Sequence, residues 1–239
     1  MAAAPRSGLL AWVGLAAADH DVAVEFYTRA FGWQAARETD HTRLRHAGSN
    51  VALVYQQTPQ ARAANVTSHW SPFFLVPDAD PAVERAVECG ATSLRDPFDV
   101  TGGRVAPLQD PAGAIFSVWS PRPPGSPEPI PGDAWWLELS TPDVAASEAF
   151  YGDLFGWSYE ESPDAASIRG PEGQIGTLRR AAGPPAWSPC LRVADVEAAG
   201  RRAAAAGAAS IGASEDAATG RVVSIVDPQG ATVLLLEPR

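Results

Sequence analysis

Two side chains are candidates for acid–base chemistry, Glu138 and His69. Glu138 interrupts the apolar run "WWLEL", and a carboxylate facing an apolar interior would favour its protonated form and could act as an acid or a base. His69, in "VTSHW", belongs to the residue type that changes charge near neutral pH. Other roles stay open, because Glu138 can bind an arginine or face solvent, and loop histidines are usually solvated.

The remaining reactive groups do not form a catalytic pattern in the sequence. Cys190 has no histidine partner at a recognisable spacing, so a small buried hydrophobe explains it better than a nucleophile. His20, His41 and His46 have no metal-ligand spacing among them. The chain also lacks a phosphate-binding loop, a dinucleotide fingerprint and a nucleophile elbow in the strand-to-helix context that each requires.

The chain repeats itself. The octet "FYTRAFGW" at 26–33 returns as "FYGDLFGW" at 150–157, an offset of 124. The triplet "WSP" and the turn "DPAGA" return, the latter as "DPQGA", at an offset of 117: Trp70 and Asp110, then Trp187 and Asp227. Two colinear blocks with a small deletion between them indicate a tandem duplication.

A proline-rich segment, "PRPPGSPEPIPGD", separates the two copies. Proline disfavours regular structure and favours an extended spacer. We therefore expect a first domain at 1–120, a linker at 121–133 and a second domain at 134–239.

Each copy contains the same run of elements twice. "WVGLAAAD" and "WWLELSTPD" alternate as strands do and lead into helices with apolar residues at helical spacing. We expect Thr141 to cap one of these helices, and Gly32 and Gly156 to end them. "PFFLVPDADPAVERAVECG" and "PCLRVADVEAAGRRAAAAG" repeat the plan before short strands and the "DPxGA" turn. The pattern predicts an α+β fold of four modules, each one strand, one helix and three strands.

Composition limits the partners. The 239 residues are 46% hydrophobic and 19% charged, which is typical of globular domains, and a net charge of −10 disfavours nucleic acid and anionic membrane surfaces. All 18 basic residues are arginine. Two cysteines fit neither a disulfide framework nor a thiolate zinc site, so a cytoplasmic setting is expected. Whether the chain forms a homodimer is left open.

Four such modules, with "FYxxxFGW" after the first helix of each copy and "DPxGA" before the last strand, resemble the vicinal oxygen chelate superfamily. That superfamily includes glyoxalase I, extradiol dioxygenases, and fosfomycin and bleomycin resistance proteins. The resemblance is strongest to its two-domain bacterial glyoxalase-like members and spans nearly the whole chain. It implies the glyoxalase/bleomycin resistance/dioxygenase fold, in which four βαβββ modules pair into two cup-shaped mixed sheets.

The same resemblance implies where a divalent metal would be held, on the first and last strands of the modules. The positions that correspond in the first cup are Trp12, Ser71, Ser117 and a position near Ala52. Those in the second cup are Trp136, Ser188, Leu234 and a position near Gly176. Divalent metals prefer several imidazole nitrogens or carboxylate oxygens, and these residues supply neither. We therefore expect no metal and no cofactor.

Without a metal, the cups are expected to bind a hydrophobic or aromatic small molecule, with Trp119 and Cys190 as further lining residues. The tryptophans can equally fill the cups as core, and Trp70 and Trp187 look like structural plugs. Three functions follow as hypotheses: a metal-independent binding protein of secondary metabolism or resistance, a metal-independent isomerase or cyclase using Glu138, or a metal-dependent lyase or dioxygenase.

Overall fold

The fold is taken from a computed structural model that describes residues 7–122, 135–161, 165–217 and 220–239. The predicted linker at 121–133 falls outside these ranges except for its first two residues. In the described ranges, no helix has the length and apolar character needed to span a membrane.

The first copy consists of two modules. Its first module is β1 (Leu10–Ala17), α1 (His20–Phe31), β2 (Gln34–Arg37), β3 (Thr42–His46) and β4 (Ser49–Gln56), followed by the short helix α2 (Pro59–Ala63). Its second module is β5 (His69–Leu75), α3 (Ala79–Glu88), β6 (Thr92–Ser93), β7 (Phe98–Val100), β8 (Gly103–Gln109) and β9 (Ile115–Pro121).

The second copy follows the same plan, although its described residues contain no counterpart of α2. Its first module is β10 (Trp135–Thr141), α4 (Val144–Phe155), β11 (Ser158–Glu161), β12 (Ala165–Gly170) and β13 (Gly173–Arg180). Its second module is β14 (Ala186–Arg192), α5 (Val196–Ala206), β15 (Ser210–Ile211), β16 (Glu215–Ala217), β17 (Gly220–Val226) and β18 (Thr232–Pro238).

The strands form two mixed sheets, each with nine strands. The first has the order β2-β3-β4-β1-β5-β9-β8-β6, and the second has the order β11-β12-β13-β10-β14-β18-β17-β15. In the first sheet β7 pairs with β8, and in the second β16 pairs with β17. The predicted α+β class with mixed sheets is confirmed. The later module of each copy has four strands after its helix, where three were expected. In the first copy Pro97, which has no N–H for a ladder, lies between β6 and β7.

Of the three helix-end residues predicted above, two are confirmed and one is not. Gly32 and Gly156 end α1 and α4 in the left-handed conformation, with φ of 68° and 72°. The expectation that Thr141 caps α4 is wrong. The cap is Asp143, whose side chain accepts a hydrogen bond from the Ala146 N–H at 3.1 Å, while Thr141 Oγ1 accepts one from Asp143 N at 3.4 Å.

The chain divides into two compact units, and each takes residues from both copies. The first unit comprises the described residues within Met1–Ala11, Pro72–Gly132 and Leu137–Trp187. The second comprises those within Trp12–Ser71, Asp133–Trp136 and Ser188–Arg239. In the first unit α3 packs against α4, and in the second α1 packs against α5. The domain boundaries at 120 and 134, which follow the copies, stay a prediction.

Candidate functional site

The repeated motifs meet in a buried hydrogen-bond network in the second unit. Trp70 Nε1 donates to the Tyr27 hydroxyl at 3.0 Å, and that hydroxyl donates to Asp227 Oδ2 at 3.1 Å. Asp227 Oδ1 accepts from the backbone N–H groups of Gln229 and Ala231 at 2.8 and 2.9 Å. We call Trp70, Tyr27 and Asp227 the Tyr27 network. It joins a helix of the first copy to the "DPQGA" turn of the second.

The first unit contains the reciprocal arrangement. Trp187 Nε1 donates to the Tyr151 hydroxyl at 2.8 Å, and that hydroxyl donates to Asp110 Oδ2 at 3.0 Å. Asp110 Oδ1 accepts from Gly113 N and Ala114 N, each at 2.8 Å. These residues form the Tyr151 network, which joins the second copy's helix to the first copy's "DPAGA" turn.

Both networks are buried and structural. Burial raises the pKa of the Asp227 and Asp110 carboxyls, and it raises the pKa of the Tyr27 and Tyr151 hydroxyls well above the usual range. Each phenol therefore stays protonated and donates to its carboxyl. The interpretation of Trp70 and Trp187 as structural residues agrees with these contacts.

One face of the first sheet carries Trp12. Arg43 pairs with Leu53, and Leu53 pairs with Gly14, so these three positions share one face of the sheet. Trp12 lies two residues before Gly14 on the same strand and therefore points to that face as well. The Arg43 guanidinium lies 5.9 Å from the centre of the Trp12 ring, within the range of a cation–π contact. It also pairs with Glu38 at 2.7 Å. The buried Trp12 indole thus contacts an arginine that is itself ion-paired within the second unit.

Ala52 lies on the opposite face of the first sheet. It pairs with Leu44, next to the Leu53 and Arg43 pair, and both Ala52 and Leu44 are fully buried. Strand alternation therefore directs Ala52 away from the Trp12 face. Ser71, another position carried over from the resemblance, is 1% exposed and lies in β5.

Ser117 and Trp119 share one face of β9 in the first unit. They pair with Phe73 and Leu75, and each is 3% exposed. The Trp119 indole packs directly over Gly103, where a Cβ atom would run into it. The Trp119 indole is therefore part of the packed core on this face.

An apolar cluster covers part of the second sheet within the second unit. Trp136, Cys190 and Leu236 are buried together, and the partly buried Val222 and Leu234 pack against them. We call these five residues the Trp136 cluster. Cys190 pairs with Leu234, and alternation puts the half-buried Ser188 on the same face. The structure thus brings together four predicted positions: Trp136, Ser188, Cys190 and Leu234.

Glu138 has an arginine partner. Arg179 donates to Glu138 Oε1 from Nε at 3.2 Å and from a terminal nitrogen at 2.5 Å, and the Glu138 side chain is 19% exposed. Glu138 pairs with Thr177 of β13, and the neighbouring Leu137 pairs with Gly176. Because successive residues of a strand alternate in direction, Gly176 lies on the face opposite Glu138. The ion pair is the alternative role that the sequence left open, and acid–base catalysis by Glu138 stays a prediction.

His69 begins β5 and is half-buried. Its Nδ1 lies 3.0 Å from the backbone carbonyl oxygen of Thr67, so the ring is anchored to its own loop. A catalytic role for His69 stays a prediction as well.

The donor set does not fit a divalent metal. The carried-over positions supply indole, hydroxyl and alkyl groups, whereas such a metal requires several imidazole or carboxylate ligands. Across the described ranges, no three His, Cys, Asp or Glu side chains are grouped as metal ligands would be. We therefore assign no chemistry through a bound metal.

Sequence comparison now identifies the family. The glyoxalase-like domain family matches the chain twice, at residues 12–119 and 136–236. The chain belongs to this family. The anthracycline biosynthesis protein DauV of Streptomyces sp. (strain C5) is 29% identical over 265 residues, covering 97% of this chain and 94% of DauV.

Solved structures show the same fold at low identity. The Mn(II)-bound glyoxalase of Novosphingobium aromaticivorans has a TM-score of 0.65 at 15% identity, covering 98% of this chain and 83% of that one. A variant of homoprotocatechuate 2,3-dioxygenase from B. fuscum also has a TM-score of 0.65 at 15% identity, covering 98% of this chain and 72% of that one. The glyoxalase-like domain thus occurs in two repeats on a vicinal oxygen chelate fold.

Sequence reasoning missed two polar residues on the Trp12 face. Arg43 lies in "TRLRH", and its Nε is buried without a hydrogen-bond partner in the described structure. Tyr55 follows Leu53 by two positions and shares its face. Burial raises the pKa of the Tyr55 hydroxyl, which keeps it protonated. The residue types were visible in the sequence, but the strand register that puts them on the Trp12 face was not.

Proposed function

We propose that this chain is a metal-independent member of the glyoxalase-like family that binds a hydrophobic or aromatic small molecule of secondary metabolism. The observation that carries this proposal is the Trp136 cluster. Three of its members occupy or neighbour the positions where the resemblance puts metal ligands: Trp136, Cys190 and Leu234.

The chemistry of the cluster favours an apolar ligand. Trp136 is 8% exposed and Cys190 3%, so both are buried, while Leu234 and Val222, which pack against them, are partly exposed. An indole packed against partly exposed alkyl groups favours contact with a flat apolar molecule, because both surfaces leave water together. The Ser188 hydroxyl on the same face supplies a polar group at its edge.

The biosynthetic setting is suggested by the relatives. DauV, and also the anthracycline biosynthesis protein DnrV of Streptomyces peucetius, match this chain over 97% of its length at 29% identity.

The cytoplasm is the proposed location, since neither Cys89 nor Cys190 forms a disulfide in the described structure. The experiment must distinguish ligand binding at the Trp136 cluster from core packing alone.

The binding test uses planar aromatic probes and a matched pair of variants. Titration with an anthraquinone and with an anthracycline should quench tryptophan fluorescence and raise the melting temperature of the wild type. Leu234→Asn should weaken binding about fivefold, since it removes roughly 1 kcal/mol of apolar contact. Leu94→Asn is the control, because Leu94 is 46% exposed and lies in the other unit. Equal affinity in both variants would argue against the Trp136 cluster as the binding surface.

Metal independence is tested separately. Protein purified without added metal should contain far less than one equivalent of any transition metal by elemental analysis, and a chelator should leave its ligand affinity unchanged. A stoichiometric transition metal would instead support the lyase or dioxygenase hypothesis.

A further inference from the structure

The two copies differ in length at one connection, between the fourth strand and the fifth. The repeat offset falls from 124 before this connection to 117 after it, so the first copy has seven additional residues there. The helix α2 lies in this insertion, and none of its residues is buried. A segment that contributes nothing to a core needs another explanation.

The insertion forms one wall of a hollow of about 290 Å³ within the second unit. We call it the β4–β5 hollow. Its polar lining includes Gln57, Arg62, Asn65, Thr67, Ser68 and Gln229. Gln229 is a second difference between the copies, because the "DPAGA" turn has Ala112 at that position. The hollow therefore lies where the duplicated halves have diverged.

Side-chain hydrogen bonds hold the walls in place. Gln57 Nε2 donates to the backbone carbonyls of Val66 and Thr67, each at 3.2 Å, and Ser68 Oγ accepts from Ala18 N at 2.9 Å. The Gln229 amide accepts from Asp19 N at 2.6 Å and donates to Asp19 O at 2.9 Å. Three separate segments are thus fixed around the hollow before any ligand arrives, which reduces the entropy cost of binding.

Two groups in the lining lack partners. Gln57 is 4% exposed, and its Oε1 is buried without a hydrogen-bond partner in the described residues, so it favours a ligand that donates an O–H or N–H. Arg62 forms no ion pair with any residue in the ranges described above, in a protein with a net charge of −10. A free guanidinium favours a carboxylate.

From these groups we infer that the β4–β5 hollow binds a small carboxylic acid that also carries a hydroxyl or amino group. The carboxylate pairs with Arg62, and the hydroxyl or amine donates to Gln57 Oε1. The hollow's volume lies at the lower end of the range for small-molecule sites, which suits a small ligand. This site is independent of the Trp136 cluster and of the ligand proposed for it.

Calorimetric titration of the full chain tests the inference. The probes are glycerate, malate, serine and aspartate, with glycerol and propionate as controls that lack the carboxylate or the donor. At least one acid should bind with millimolar or tighter affinity and more tightly than either control. Arg62→Gln should weaken that binding about tenfold or more, the typical effect of losing a charge-assisted hydrogen bond. Arg29→Gln is the matched control, because Arg29 is an exposed arginine of α1 in the same unit and pairs only with the exposed Glu25 in the described structure.

A shortened chain gives a second, independent readout. Deleting 58–64 makes the connection as short as that of the second copy. It should abolish binding while leaving the melting temperature close to that of the wild type, since α2 buries no side chain. The inference is overturned if no acid binds the wild type, if Arg62→Gln binds as tightly as the wild type, or if the shortened chain still binds.

Discussion

The Tyr27 hydroxyl accepts a hydrogen bond from one buried group and donates one to another, so a single oxygen satisfies Trp70 and Asp227 together. Tyr151 does the same for Trp187 and Asp110. When a buried polar group loses its partner, no hydrogen bond offsets the free energy of removing that group from water. The repeated tyrosine of "FYxxxFGW" is therefore required for its hydroxyl as well as for its ring.

Replacing these tyrosines by phenylalanine tests this role. Tyr27→Phe and Tyr151→Phe should each lower the free energy of unfolding by about 1–3 kcal/mol, because each leaves two buried groups unsatisfied. Tyr159→Phe is the control, since the Tyr159 hydroxyl is buried without a hydrogen-bond partner in the described structure. It should leave the free energy of unfolding unchanged or raise it, because it removes a buried polar group that has no partner. Urea denaturation measures all three, and equal losses would contradict the argument.

The Asp227 carboxyl makes stability depend on pH in a particular direction. Burial raises its folded-state pKa above the unfolded value of 3.8, so its contribution is complete below pH 3.8 and is lost as the pH rises through the folded-state pKa. Asp227→Asn removes this titration. The stability difference between wild type and variant should therefore be largest near pH 4 and shrink towards neutral pH, as measured by urea denaturation at a series of pH values. A difference that grows with pH would contradict the raised pKa.

Sequence reasoning identified the motifs but not their partners. "FYxxxFGW", "WSP" and "DPxGA" were recognisable as repeats because their residue types and spacing recur. That Tyr27 bonds to Asp227, 200 residues away, depends on which turns meet which helices, and no local pattern records this. The Arg179 partner of Glu138 was missed for the same reason, since it belongs to a neighbouring strand.

The strands illustrate a similar limit. Alternation predicted which residues of one strand share a face, but it gave no register between strands, and a shift of one residue exchanges the faces. The sequence put Ala52 and Gly176 at candidate binding positions without knowing the register. In the structure Ala52 lies on the face opposite Trp12, and Gly176 lies on the face opposite Glu138. The four longer helices, and the glycine ends of α1 and α4, followed from periodicity and helix-end signals, whereas the short helix α2 and one strand of each later module did not.

Gly176 has a packing reason for being glycine. It pairs with Leu137, and a Cβ atom at this position would run into the Leu137 backbone carbonyl. Gly176→Ala should therefore cost about 1–3 kcal/mol, the usual penalty for overpacking. Gly183→Ala is the control, because a Cβ there would meet nothing within 4 Å. Thermal denaturation of the two variants should separate them, and similar melting temperatures would contradict this explanation.

The compact units do not follow the order of the sequence. Each unit takes residues from both copies, and each contains one hydrogen-bond network that links the copies. A copy expressed alone therefore lacks the partner of its own tyrosine and of its own aspartate. Stability is then a property of the whole chain and not of either copy.

Separated halves provide the test. Residues 1–120 and 134–239, expressed singly, should lack a cooperative unfolding transition, because each loses both networks. Coexpression of the two should restore a complex with one transition. Circular dichroism and size-exclusion chromatography measure this, and two independently folded halves would instead support domains that coincide with the copies.

The two networks are equivalent contacts with the roles of the copies exchanged. Tyr27 of the first copy bonds to Asp227 of the second, and Tyr151 of the second copy bonds to Asp110 of the first. An ancestor with one copy could have made them only between two identical chains, where any substitution would have appeared twice. Fusion of the genes ended that constraint. Arg62 and Gln229 could then arise on one side alone, giving an asymmetry that a pair of identical subunits cannot encode.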